Sequence, residues 1–158
     1  MRRNMNKLDI FIPEQPSKTT HQSGTRYANK RTYKTASLIG WENTLKRHLI
    51  KHIPEEPMQG ALYLDVVFGF TTCAKKNIGK WKTTRPDTDN MIKTVKDMMT
   101  RLGYWDDDSQ VVFETCRKMW TKKAGILIRI ESLNESWIYY TDDLNELKEK
   151  FIGEVEHE

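Results

Sequence analysis

Polar and apolar positions alternate near the start of the chain, where Leu8, Ile10 and Ile12 take every second place, so residues 6–12 read as a strand ending at Pro13. From Pro13 to Thr35 no apolar period is sustained, which describes a surface loop with a short extended piece near Arg31 to Tyr33. Leu38, Trp41, Leu45 and Leu49 then recur at spacings of three and four, marking an amphipathic helix between Ala36 and Ile53 that Pro54 and Pro57 stop. Strict alternation returns at Leu62, Leu64, Val66, Phe68 and Phe70, the period of a strand with one face in the core. After a polar, basic stretch over 71–86, helical spacing reappears in Met91, Ile92, Val95, Met98, Met99 and Leu102. Gly103 suits the position just past that helix. Val111 to Trp120 and Gly125 to Ile130 read as two strands joined into a hairpin by Thr121 to Ala124. Leu144, Leu147, Phe151 and Val155 outline a short acidic helix.

Composition narrows what these elements can do. The 158 residues make one domain by length, and 37% hydrophobic residues include no run near the roughly 20 a bilayer span needs. The apolar stretch Leu8 to Ile12 is too short for a secretory signal, so the chain is expected to stay in the cytoplasm. Cys73 and Cys116 stand far apart with no Cys/His cluster and read as ordinary thiols. Charge is distributed unevenly. Residues 134–158 hold 8 acidic and 2 basic side chains, leaving 24 basic against 14 acidic in residues 1–133. The net charge of +4 therefore conceals a basic body, which favours a polyanion such as nucleic acid as partner.

Against that background the acids stand out. Asp87 and Asp89 open the second helix, and Asp106, Asp107 and Asp108 follow its end. Their plainer reading is helix capping, since Asp is a favoured N-cap and negative charge suits the first turn. A metal reading requires the two groups to meet. They are separated by about 20 Å of helix, so the chain after Gly103 would have to turn back along it. Three carboxylates gathered at one point must take up protons or bind a cation, and magnesium prefers such oxygens together with water and phosphate. Lys93, four residues after Asp89, could pair with that carboxylate or reach a phosphate oxygen. Other motifs fail on position. EF-hand loops beginning at Asp87 or Asp106 would need glycines at Ile92 or Val111, and the four histidines form no HExxH.

Taken as one string, Arg85 to Gln110 (RPDTDNMIKTVKDMMTRLGYWDDDSQ) resembles the RusA family of Holliday junction resolvases. Asp87, Asp89, Asn90, Lys93, Asp97, Trp105, Asp107, Asp108 and Gln110 match the family pattern, and Lys118 falls on a family lysine. The resemblance implies an α+β subunit with a small mixed sheet and flanking helices, acting as a homodimer that cuts four-way, branched DNA. It implies magnesium as cofactor, with manganese able to substitute, and neither a nucleotide cofactor nor a membrane partner. By position, Asp87, Asp89 and Asp108 form the catalytic metal-binding set with Asp107 beside them, Lys93 sits near the scissile phosphate, and Lys118 with the basic loop holds DNA. Lys18, Arg26 and Arg31 are approximate DNA-binding assignments, because the segment Lys18 to Lys34 lacks the family's compact Lys-Gly-Arg-Pro-Arg run. Family members are frequent in phages and prophages.

The resemblance covers roughly residues 8–131, most closely 85–125, and the tail lies outside it, so the expected division is a nuclease domain over 1–133 and an acidic tail over 134–158. Leu144, Leu147 and Phe151 are expected to dock on the body or on a dimer partner, and a sharper reading has the tail compete with DNA for the basic surface. Two rivals remain open on sequence: a branched-DNA-binding protein without activity, and a magnesium nuclease that prefers flaps or forks.

Overall fold

The computed structural model describes residues 6–16, 25–28, 31–34, 36–133 and 144. In chain order its elements are β1 (Lys7–Ile12), β2 (Thr25–Ala28), β3 (Arg31–Lys34), α1 (Ala36–Leu49), β4 (Leu62–Thr71), α2 (Thr88–Leu102), β5 (Val111–Thr121) and β6 (Gly125–Ser132). Four strands form one mixed sheet in the order β1-β6-β4-β5, with β4 and β5 parallel and the other neighbours antiparallel. The fold is therefore α+β.

The alternation in β4 explains the layering. Leu62, Leu64, Val66 and Phe68 are buried beside Ile126, Ile128 and Ile130 of β6 and Ile10 and Ile12 of β1. Leu45 and Leu49 of α1 and Ile92, Val95 and Met99 of α2 close over this face. Each fully buried aliphatic side chain contributes about 1.5–3 kcal/mol. The opposite sheet face carries the ion pairs Asp9–Arg129 and Asp65–Arg117 between the strands, with Phe11 and Leu127 exposed.

The expected hairpin of β5 with β6 does not form, because β4 lies between them. Thr121 is paired with Thr71 and Gly125 with Gly69, so the short link passes across the end of β4. Gly69 permits this close approach. A Cβ there would lie 2.9 Å from Thr121 Oγ1 and 3.3 Å from the Gly125 carbonyl oxygen. The loop expected from Pro13 to Thr35 also differs, since β2 and β3 pair antiparallel with Arg26 opposite Tyr33. Alternating Thr, Tyr and basic residues meet the needs of a two-stranded ribbon without any apolar run. Of the expected C-terminal acidic helix only Leu144 is described; it is helical and exposed, and Leu147, Phe151 and Val155, with the docking expected of them, lie outside the described residues. Among the described residues no helix is long and apolar enough to cross a membrane.

Candidate active site

Pro86 is followed by Asp87, which stands at the N-cap of α2 in an extended conformation (φ −80°, ψ 145°) and makes no side-chain capping bond. Asp89 follows in the first turn, where the helix dipole favours a negative charge. Both carboxylates are exposed, and among the described residues neither side chain takes part in a hydrogen bond or ion pair. The capping reading therefore lacks the bond that would define it.

The approach to Asp87 is held from beneath by two lysines. Lys82 Nζ donates to the carbonyl oxygens of Thr84 (3.2 Å) and Arg85 (2.6 Å) and to the Thr84 hydroxyl. Lys118 Nζ donates to the carbonyl oxygens of Thr84 (3.0 Å) and Pro86 (2.6 Å). The Lys82 amine also lies over the rings of Trp120 and Phe70, at 4.5 and 5.2 Å from their centroids. Burial, then the nearby Lys118 charge, hold this amine below the usual lysine range. In sequence, Lys82 falls within the polar, basic stretch over 71–86. Its burial depends on pairing of the 79–82 segment with β5, which no local pattern announces.

The far end of α2 is built with equal care. Gly103, at φ 80°, ends the helix, while the N–H groups of Gly103 and Tyr104 bond back to the carbonyls of Thr100 and Met99. Tyr104 and Trp105 then plunge into the core. The Tyr104 hydroxyl donates to the Leu49 carbonyl at 2.6 Å, and Trp105 Nε1 to Thr100 Oγ1 at 2.7 Å. Asp107 caps the following turn by accepting from the Ser109 N–H at 2.8 Å, and Ser109 holds its carboxyl below the usual range. Asp106 accepts from Gln59, whereas Asp108 has no side-chain hydrogen bond or ion pair among the described residues.

Asp87 and Asp89 are thus at one end of a 15-residue helix and Asp107 and Asp108 at the other, about 22 Å of helix apart. The chain does turn back along α2, as convergence demanded, but the acids precede the return. Glu114 on β5 is the carboxylate carried back, and it pairs with Lys96 at 2.7 Å. Among the described residues no three His, Cys, Asp or Glu side chains are grouped closely enough to hold a metal. Lys93 pairs with Asp97 at 3.6 Å rather than with Asp89. Arg26 and Arg31 lie on the β2–β3 ribbon, and Lys18 is outside the described residues.

The family model for Endodeoxyribonuclease RusA matches residues 13–131. A curated relative, the crossover junction endodeoxyribonuclease rusA of Lactococcus phage r1t, is 40% identical over 89 residues, covering 55% of this chain and 68% of the relative. With the acidic segments at both ends of α2 inside the matched span, the chain belongs to the RusA family of endodeoxyribonucleases.

Proposed function

We propose that the chain is a magnesium-dependent endodeoxyribonuclease that resolves four-way DNA junctions by paired nicks, working as a homodimer in the cytoplasm of a bacterial host. The observation that carries this reading is the pair of exposed carboxylates of Asp87 and Asp89 at the start of α2, without a partner among the described residues, on a body rich in positive charge. The phage relative, named for cutting crossover junctions, supports the choice of substrate.

The donor set suits the metal. Magnesium takes one or two protein carboxylates and fills its remaining positions with water and phosphate oxygens, and Asp87 and Asp89 are hard oxygen donors with no side-chain hydrogen bond or ion pair among the described residues. Manganese, equally content with carboxylate oxygen, would substitute. Held there, the ion would supply Lewis acidity toward the scissile phosphate. The chain's own residues do the rest: Lys93, one turn along α2, offers positive charge to the phosphate, and Lys118 braces the loop before Asp87. Arg26 and Arg31, with Lys18, would neutralise DNA phosphates on the arms.

Homodimerisation gives the distant acids a role. A two-fold axis across the middle of α2 exchanges its ends, so a second copy would bring its Asp107 and Asp108 to the first copy's Asp87 and Asp89. Two such composite sites would nick two strands symmetrically. Residues 1–133 then form the nuclease domain and residues 134–158 an acidic appendage.

The test is cleavage of an end-labelled four-way junction and a matched linear duplex, each in magnesium or EDTA, by the parent and Asp89→Asn. Paired nicks on the junction alone, dependent on magnesium and lost in the variant, are expected. Binding without cleavage would leave a junction-binding protein. Equal cutting of flaps or forks would widen the substrate class.

A further inference from the structure

We infer that Lys82 is a positioning residue of the nuclease site, holding the Thr84 and Arg85 carbonyls so that Asp87 and Asp89 are presented to metal and phosphate. The inference rests on the metal-dependent reading above and assigns a role to a side chain that this reading does not use.

Three consecutive carbonyls, those of Thr84, Arg85 and Pro86, all face ammonium groups, with Thr84 shared by Lys82 and Lys118. The next residue is Asp87. Turning these carbonyls inward fixes the direction in which the chain leaves Pro86, and with it where α2 begins. It also keeps three carbonyl dipoles from pointing their negative ends toward an incoming phosphate.

Lys82 is the more telling of the two lysines because it is 7% exposed. Among the described residues no carboxylate forms an ion pair with it, and none with Lys118. Among the described residues its charge is offset by the Thr84 and Arg85 carbonyl dipoles, the Thr84 hydroxyl and the faces of Trp120 and Phe70. Burying a cation without a counterion, beside a second cation, is costly. An apolar residue would satisfy the aromatic slot and cost less. What an apolar residue cannot do is bind the carbonyls that lead to Asp87. Charges held against such a cost cluster at functional sites.

The support behind Lys82 is rigid. Trp81 bridges Met119, and the backbone N–H of Lys82 donates to the Lys118 carbonyl at 3.1 Å, so the residue rides on the edge of β5. Both lysines therefore brace the loop from one strand edge. A misplacement of about 1 Å at a reacting centre can cost 100-fold in rate, so loss of this brace should appear in the chemistry.

The experiment uses the full chain with Lys82→Met, which keeps length and apolar fit, and Lys82→Arg, which keeps the charge but changes its shape. Single-turnover cleavage of a four-way junction, junction affinity in EDTA, and the magnesium concentration giving half-maximal rate are measured well below each variant's melting temperature, beside Asp89→Asn. Both Lys82 variants should cleave about 100-fold more slowly and need at least about fivefold more magnesium, with affinity in EDTA changed less than about threefold. Rates within threefold of the parent at unchanged magnesium demand, with Asp89→Asn inactive, overturn the positioning role and leave the site intact. A rate loss that only tracks the folded fraction, with magnesium demand unchanged, makes Lys82 structural and also overturns it. If Asp89→Asn cuts at the parental rate, the site itself is misplaced and the inference falls with it.

Discussion

The side-chain amide of Gln110 donates to the carbonyl oxygen of Met58 at 3.1 Å, across 52 residues of sequence. The same amide reaches the Gly60 carbonyl at 3.2 Å, and its oxygen accepts from the backbone N–H groups of Asp106 and Asp107. One glutamine thus ties the acidic turn to the strand-entry segment before β4. Gln110→Ala should destabilise the fold by about 1 kcal/mol, because the partly buried Met58 carbonyl and three exposed backbone groups lose their partner together. Urea unfolding measures this. A change under about 0.5 kcal/mol would mean that Tyr104, Trp105 and the Asp107–Ser109 and Asp106–Gln59 bonds hold the turn without Gln110.

Asp87 and Asp89 predict the opposite balance. Among the described residues neither side chain makes a hydrogen bond, and two negative charges two residues apart repel. Asp87→Asn and Asp89→Asn should each change stability by less than about 1 kcal/mol, the scale of a helix-dipole interaction, while junction cleavage is lost. A loss near 2 kcal/mol with cleavage retained would return both residues to capping.

The contrast between these two acidic segments shows what the sequence could and could not carry. Element positions were legible wherever one face is buried: the periods of Leu38–Leu49, Leu62–Phe70 and Met91–Leu102 coincide with α1, β4 and α2. Pairing was not. Val111–Thr121 looks the same whether its neighbour is β6 or β4, and Gly69, which permits the close crossing, acts through the absence of a side chain. Within the site, acids and lysines could be named from their spacing, yet spacing along α2 says only that they are far apart. Lys82 was illegible for a different reason. Its burial arises from contacts with Trp120, Phe70 and the 84–85 carbonyls, none of which follows from residues near it in sequence.

Lys93 is half exposed and pairs with Asp97 one turn away, an ion pair worth a few tenths of a kcal/mol at most. Lys93→Ala should therefore leave urea stability almost unchanged. In the proposed role it lowers turnover by 10-fold or more and junction affinity much less. Equal losses in rate and affinity would make Lys93 a general phosphate contact.

The two thiols should respond differently to alkylation. Cys73 is exposed, whereas burial, followed by the negative charge of Glu114, pushes the Cys116 thiol up to about 12. The folded state thus favours the protonated thiol. This contribution to stability is fully present below the ordinary thiol pKa of about 8.5 and is lost as pH rises through about 12. At pH 8 iodoacetamide should label one thiol per chain quickly and the second only on unfolding. Rapid double labelling of folded protein would show that the contact between Cys116 and the Thr88 carbonyl opens readily.

The division of acids between the ends of α2 can be tested by mixing inactive variants. If each site takes Asp87 and Asp89 from one copy and Asp108 from another, a mixed dimer of Asp89→Asn with Asp108→Asn contains one doubly altered site and one unaltered site. Subunit exchange between the two inactive proteins should then restore cleavage of one strand, up to about a quarter of parental nicking, since half the dimers are mixed and each has one intact site of two. If every site is built within a single chain, each copy carries a defect and mixing restores nothing. The readout is the appearance of single nicks in the junction on mixing. Its absence, with subunit exchange confirmed by light scattering of tagged copies, would assign Asp108 to its own chain or to no site at all.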